Sequence, residues 1–179
     1  MKRILIAGVG NILLGDDGIG PYVVRKLAAN YVFEEGVELE DLGTPALDFI
    51  DHIAGLDALI VVDAVKNGEA PGTIVLYGKA ELLRHSPTLR MDPHSPALIE
   101  SLMAADLFGQ SPENVILVGI AGESYSPTCA LSPAVAAAVD AAIRRILQLL
   151  DSLDVGFFRR FEEADPSIWW AEVGAADLA

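Results

Sequence analysis

The sequence predicts an α/β fold, with a mostly parallel, five-stranded twisted sheet and helices on both of its faces. Apolar runs rich in β-branched residues alternate along the chain with segments whose apolar residues recur at helical spacing. This alternation is typical of parallel strands joined by helical crossovers. The length of 179 residues, of which 52% are hydrophobic, suits one domain with a substantial core.

The first half of the chain predicts two βα units that lead into a third strand. RILIAGVG (3–10) is a short apolar run that ends in glycine, as expected of a strand buried on both faces. PYVVRKLAANYV (21–32) follows as a helix with proline in its first turn. VELEDL (37–42) predicts the second strand, ALDFIDHIAG (46–55) the second helix and ALIVVDAV (58–65) the third strand.

The second half predicts two more strands and two more helices. TIVLY (73–77) predicts a strand at the sheet edge that pairs with its neighbour through the preceding turn, GEAPG. SPALIESLMAADLFG (95–109) predicts a helix with serine as N-cap and proline in its first turn, and VILVGI (115–120) predicts a buried strand. A second Ser-Pro start precedes the long helix AVAAAVDAAIRRILQLL (134–150).

The α/β domain is expected to span residues 1–150, and a tail of different character spans residues 151–179. The tail carries seven acidic residues against two basic ones, together with the only two tryptophans, Trp169 and Trp170. Two interpretations of it stay open. It is either a mobile terminus or a segment whose FFRRF and WW motifs dock on the body or on a partner.

Composition excludes several classes of partner. A net charge of −14 and a pI of about 4.4 disfavour nucleic acid as a ligand. The chain has no uncharged apolar run of the roughly 18 residues that a membrane span needs, and glycines and aspartates interrupt its N-terminal apolar stretch before a signal peptide is complete. A single cysteine, Cys129, excludes a disulfide framework. We expect a cytoplasmic monomer that binds neither nucleic acid nor membrane.

The glycine-rich stretch GNILLGDDGIG (10–20) follows the first strand, where such loops usually bind phosphate. From Gly8 the chain reads GVGNIL and lacks the third glycine of a dinucleotide fingerprint. From Gly10 it has the glycine spacing of a P-loop, but Asp16 and Asp17 replace the lysine and the hydroxyl residue. Carboxylates repel phosphate and are good ligands for cations, so the loop predicts a cation site.

Two further candidate ligands stand at comparable positions. Asp63 ends an otherwise apolar strand, and its charge is expected to emerge at the sheet edge because unpaired burial would cost several kcal/mol. His94 stands in the motif DPHSP, just before a predicted helix. Together with Asp17 they provide two carboxylates and one imidazole. Such a set leaves room for water or substrate and suits Zn, Ni or Fe.

The same residues also have ordinary interpretations, which stay open at this stage. Asp17 would cap the helix that follows Gly20. Asp63 would pair with Lys66, and a single loop histidine is more often an ordinary surface residue than a metal ligand. Cys129 lies among prolines with no histidine near it in the sequence, which favours buried packing over a nucleophilic role.

Several motifs occur in the order found in one known family. They are GVGNILLGDDGIG after the first strand, LGTPALD near the second, LIVVDAV at the third, and then APGTI, DPHSP, VGIAGES and ALSPAV. Over residues 2–150 the chain resembles the NiFe-hydrogenase maturation endopeptidases. The resemblance implies a three-layer α/β/α sandwich and an enzyme that removes the C-terminal extension of a NiFe-hydrogenase large-subunit precursor after nickel insertion. It further implies that the substrate supplies the nickel, with no organic cofactor.

The resemblance also implies roles for single residues. The metal ligands, which are also the catalytic residues, fall on three positions: Asp17, Asp63 and His94. The family motif D-G-G-T is kept in part, and its retained members are the expected substrate-binding residues: Asp41, Gly43 and Thr44. Water activation stays open between the nickel and a carboxylate, either Asp17 or Asp41.

A phospho-receiver-like, Mg²⁺-binding signalling module is the rival interpretation, since such domains also combine an acidic pair with an aspartate at a later strand. It requires a lysine at the end of the fifth strand, where this chain reads GIAGES, and acids directly on the first strand. A nickel-binding chaperone without cleavage activity is a third alternative. The motifs favour the endopeptidase over the receiver, whereas the chaperone would have the same site.

Overall fold

The computed structural model describes residues 1–45, 48–84, 90–91, 95–164, 166–168 and 170, with the backbone alone at 90–91 and 95–97. It confirms the α/β class. The described elements, in chain order, are β1 (Ile4–Val9), a 3-10 helix (Gly15–Gly18), α1 (Ile19–Asn30), β2 (Tyr31–Phe33), β3 (Val37–Gly43), α2 (Phe49–Ile53), β4 (Ala58–Lys66), β5 (Ile74–Gly78), α3 (Lys79–Arg84), β6 (Arg90–Met91), α4 (Ser95–Leu107), β7 (Asn114–Ala121), α5 (Pro133–Ser152) and β8 (Phe157–Arg159).

The main sheet has the strand order β3-β1-β4-β7-β5, and β6 adds a short pairing to β4. The first four strands of this order run parallel, whereas β5 is antiparallel to β7. The five predicted strands are therefore all present. The predicted edge position of β5 is confirmed, but the predicted partner is wrong, because β7 pairs along eight residues of β4 and leaves only its own outer edge for β5.

Apolar side chains of the sheet face two separate cores. In β1, Ile4 and Ile6 pack into the layer that contains α1 and α5. Leu5, Ala7 and Val9 point to the other face, into the layer with α2 and α4. This alternation follows from the two-residue period of a strand, and it gives the three-layer sandwich.

Both boundaries of the first helix differ from the sequence-based prediction. The first helix begins at Ile19, two residues before the proline, and ends at Asn30, because residues 31–33 form β2. The start of α5 agrees with the prediction, since the Ser132 side chain accepts a hydrogen bond from the Val135 amide at 3.5 Å.

Within the described part of the chain, no helix has the length and apolar character needed to cross a membrane.

The described part of the tail docks on the body. Strand β8 pairs antiparallel with β2, and the Phe157 ring lies 6.2 Å from Tyr31 and 6.3 Å from Phe33 between centroids. Trp170 is buried, with its ring 5.7 Å from the guanidinium carbon of Arg25. The docking interpretation is thus confirmed for these residues, while Trp169 lies outside the described residues.

The aromatic cluster around Phe157 makes the tail part of the folded unit. Phe157→Ala should lower the free energy of unfolding by about 2 kcal/mol, because it removes contacts with two rings and part of the buried apolar surface. Urea unfolding measures the effect. The matched control is Phe161→Ala, whose ring is fully exposed and whose loss should leave stability unchanged. Equal stability of the two variants would contradict docking of β8.

Candidate active site

The candidate site lies at the carboxyl edge of the sheet, where the direction of the strand order switches. β1 has β3 on one side and β4 on the other, so the loop that follows β1 opens between two diverging connections. The last pair of β1 with β4 joins Gly8 to Val62. Asp63 therefore stands one residue beyond the paired part of β1, beside the loop that carries Asp16 and Asp17.

Glycines in this loop allow close backbone packing rather than phosphate binding. Gly10 has a φ of +134°, and a Cβ there would lie 1.8 Å from the Asp17 carbonyl oxygen. At Gly20, a Cβ would lie 2.2 Å from the Val9 oxygen and 2.3 Å from the Val62 oxygen. Any side chain at either position would push the loop or the start of α1 away from the strands.

Asp16 is a structural anchor. Its side chain is fully buried, and its Oδ2 accepts hydrogen bonds from the amides of Glu123 at 2.8 Å and Ser124 at 2.9 Å. Its Oδ1 accepts a third from the Ser132 amide at 2.6 Å. The Asp16 amide in turn donates to the Ser124 carbonyl at 2.9 Å. These bonds tie the loop after β1 to the loop after β7.

Asp17 is also fully buried but turns toward β4. Its Oδ2 accepts a hydrogen bond from the Asn11 amide at 2.8 Å, within the same loop. The predicted alternative, a helix-capping role, is wrong, because α1 has Gly18 as its N-cap and receives no side-chain cap. Asp17 therefore lies in the buried acid pair with Asp63, whose pKa its charge raises.

The structure corrects the expected placement of Asp63. The residue does not end its strand, since β4 continues to Lys66, and its side chain is buried with 3% exposure instead of emerging at the edge. An ion pair with Lys66 is also absent from the described contacts, and the Lys66 ammonium lies 3.7 Å from the centroid of the Tyr125 ring instead. Among the described residues, no group donates a hydrogen bond to Asp63 Oδ1.

Burial and a like charge both act on Asp63. Removal from water raises its pKa well above the ordinary value, the negative charge of Asp17 raises the pKa further, and a hydrogen bond from the Ala64 backbone lowers it in part. Two carboxylates in one dry pocket cannot both stay charged without a compensating positive charge. The pocket therefore requires either a proton or a cation.

Tyr125 was missed by sequence reasoning, because no local pattern in the segment SYSPTC marks it. Its half-buried hydroxyl donates a long hydrogen bond of 3.4 Å to the Val65 carbonyl, two residues beyond Asp63. Burial and the charges of the three site aspartates raise the pKa of Tyr125 to about 12, against a smaller lowering by the Gly122 backbone. The phenol is thus a neutral donor at neutral pH.

Asp41, Gly43 and Thr44 lie at the end of β3, on the other side of the glycine loop. Asp41 forms an ion pair with Arg25 at 3.3 Å, and its other oxygen accepts from the Gly43 amide at 3.2 Å. The Gly10 amide donates to the Gly43 carbonyl at 2.7 Å, while Thr44 is exposed. The three residues therefore border the loop, and Asp41 is separate from the buried acid pair.

His94 lies outside the described residues, so its predicted place in the triad stays a prediction. The described residues that flank it are Met91, which pairs with Val65 of β4, and Ser95, where α4 begins. The described residues alone bring Asp17 and Asp63 together but contain no group of three acidic, histidine or cysteine side chains that could hold a metal. Cys129 is half-buried, not fully buried as expected.

The fold and the site together define a three-layer α/β/α protein with two buried carboxylates at the switch point of its sheet. Comparisons with known proteins define it further. The sequence pattern of the hydrogenase maturation protease family matches residues 21–149. The chain therefore belongs to the hydrogenase maturation protease family and is an endopeptidase of hydrogenase maturation, which sets the receiver alternative aside.

Individual relatives agree with this assignment. The chain is 36% identical over 152 residues to the hydrogenase 2 maturation protease of Escherichia coli K12, which covers 83% of this chain and 90% of that protein. It is 35% identical over 149 residues to the hydrogenase expression/formation protein HoxM of Azotobacter vinelandii, with 83% and 72% covered. The structure of the E. coli hydrogenase maturating endopeptidase HybD superimposes with a TM-score of 0.83 at 35% identity, over 88% of this chain and 98% of that one.

The raised pKa of Asp63 predicts a pH dependence of stability. Between the ordinary value of 3.8 and the raised value, the folded protein holds a proton that the unfolded chain has released. The free energy of unfolding should therefore fall as the pH rises through this window. Asp63→Asn should remove that part of the slope.

Urea unfolding of metal-free protein from about pH 4 to about pH 8 measures the slope directly. The matched control is Asp151→Asn, an exposed aspartate near the end of α5, which should keep the parental slope. An Asp63→Asn variant with the parental slope would contradict the placement of Asp63 in a dry, like-charged pocket.

Proposed function

We propose that this endopeptidase removes the C-terminal extension of a NiFe-hydrogenase large-subunit precursor, and that it recognises the nickel already inserted there. Membership of the hydrogenase maturation protease family supports the reaction class. The observation that carries the nickel requirement is the pair of buried carboxylates, Asp17 and Asp63, which share a pocket that needs positive charge. A metal that arrives with the substrate is then part of the substrate.

The acid pair would contact the nickel through carboxylate oxygens, with His94 as the third, imidazole ligand. Asp63 Oδ1 has no hydrogen-bond donor among the described residues, so it is free of a competing contact there. Asp17 is held in place through the Asn11 amide. The buried acid pair would thus attract a cation. A precursor without metal would make no comparable contact with it.

Metal recognition would act on catalysis through position. A precursor anchored at the acid pair holds its scissile bond at the site, which raises the effective concentration of that bond. A precursor without nickel lacks this anchor and brings no metal charge to the two carboxylates. The enzyme would then discriminate between the two precursors because only the nickel-loaded one brings positive charge to the buried acid pair.

Peptide hydrolysis also needs a group that accepts a proton from the attacking water. Asp41 and Asp17 are the two candidates, and the Asp41 carboxylate is already engaged in an ion pair with Arg25 at 3.3 Å. Asp17 lies in the dry pocket and is the better candidate. The neutral hydroxyl of Tyr125, which donates to the Val65 carbonyl, lies on the β7 side of the site.

Processing of a nickel-loaded precursor tests this function. Asp17→Asn, Asp63→Asn and His94→Ala should each lower the rate of tail removal about 100-fold or more, because each removes a ligand or a charge that positions the substrate. Electrophoresis or intact-mass measurement follows the loss of the extension. The same precursor without nickel should remain uncut by the parent protein.

Two matched variants control for nonspecific effects. Asp151→Asn changes an exposed aspartate, and His52→Ala changes a histidine that pairs with Glu40 on the surface at 3.0 Å. Both should process the precursor at the parental rate. Parental activity of Asp63→Asn would refute the acid pair as the site, and an intact precursor under every metal condition would refute the protease function itself.

A further inference from the structure

The loop that carries the acid pair also displays an exposed leucine. Leu13 is 56% exposed, although it lies in a loop whose neighbouring apolar residues, Ile12 and Leu14, are half-buried. Its backbone is fixed on both sides. The Leu13 amide donates to Asn11 Oδ1 at 3.0 Å, and the Leu13 carbonyl accepts from the Thr128 amide at 3.1 Å. These two bonds fix the backbone position from which the exposed side chain projects.

The same contacts place Leu13 beside the candidate site. Asn11 joins the two features, since its amide donates to Asp17 Oδ2 at 2.8 Å while its side-chain oxygen holds the Leu13 amide. The partner loop contributes a second exposed apolar residue, Pro127, which directly precedes Thr128. We call Leu13 and Pro127 together the apolar rim.

We propose that the apolar rim binds the peptide segment of the precursor next to the bond that is cleaved, through an apolar side chain of that segment that packs on Leu13. The inference rests on the proposed function and extends it to a specificity contact. Leu13 is linked to Asp17 through a single asparagine, so a peptide with its scissile bond at Asp17 would lie close to Leu13. Both the acid pair and the rim are then contacted by one substrate.

Rigid attachment makes Leu13 suitable for this role. The loop is tied to its neighbour by the three hydrogen bonds of Asp16 and by a bond from the Gly15 amide to the Thr128 carbonyl at 2.7 Å. An apolar contact on such a loop costs little ordering entropy on binding. Among the residues that the structure describes, Leu107 at the end of α4 is also exposed but has no comparable hydrogen-bonded link to the acid pair.

Steady-state kinetics on the nickel-loaded precursor test the inference. Leu13→Ser should raise KM about tenfold and leave kcat within about twofold, because an apolar contact made equally in the ground and transition states is lost. Leu13→Met, which keeps an apolar side chain of similar volume, should retain a KM within about threefold of the parent. The matched control, Leu107→Ser, changes a leucine that is 82% exposed and should behave as the parent.

Each contrary outcome has a distinct meaning. A parental KM for Leu13→Ser, or an equal rise in KM for Leu107→Ser, overturns the inference. Loss of self-association in sedimentation by Leu13→Ser with a parental KM would assign the rim to a second copy of this chain and also overturns it. Leu13→Gln, which keeps the side-chain length, replaces Leu13→Ser if thermal melting shows the serine variant to be unfolded.

The parent protein separates this inference from the proposed function. If the parent processes the precursor and Leu13→Ser does so with the parental KM, only the rim contact fails. If the parent neither binds nor processes the precursor, the proposed function fails, and the rim contact fails with it.

Discussion

Three hydrogen bonds to one buried carboxylate hold the candidate site together. The Asp16 carboxylate accepts hydrogen bonds from the backbone amides of Glu123, Ser124 and Ser132. These bonds hold the loop after β1 against the loop after β7. Hydrogen bonds to charged groups stabilise by roughly 1.5–3 kcal/mol each. This anchoring keeps Asp17 next to Asp63 although the two side chains repel each other. The acid pair is therefore maintained by contacts outside the pair.

The repulsion gives the pocket its chemical selectivity. A carboxylate in water would accept many partners, but two carboxylates in a dry pocket favour whatever neutralises them. In the free protein, burial and the charge of Asp17 raise the pKa of Asp63 and so favour a proton as that partner. In the proposed complex it is the metal of the precursor. The repulsion between the two carboxylates, which destabilises the free site, would thus favour binding of the nickel-loaded substrate.

Much of the fold could be predicted because strand burial leaves a strong pattern in the sequence. The run ALIVVDAV is apolar since β4 is covered on both faces, but pattern alone placed Asp63 at the strand end, whereas pairing with β7 and β6 carries the strand to Lys66. Long-range pairing also explains the missed β2 and β8, which meet across the chain. Asp16 and Asp17 are both aspartates, so the sequence does not distinguish their roles. Only their tertiary contacts show that Asp16 is the structural anchor and leave Asp17 as the candidate metal ligand. Tyr125 reaches the site through the β7 loop, which no local motif reveals.

The proposed function requires that Asp17 and Asp63 lie together in one buried environment. The most direct test is a carbon-13 NMR titration of the Asp63 side-chain carboxyl group in metal-free protein, compared between the parent and Asp17→Asn. We expect the Asp63 carboxyl group to titrate with a pKa well above 3.8 in the parent. In Asp17→Asn its pKa should be lower, because the negative charge of Asp17, one of the two causes that raise it, has been removed. A parental pKa near 3.8, or one that Asp17→Asn leaves unchanged, would contradict this placement of the two residues.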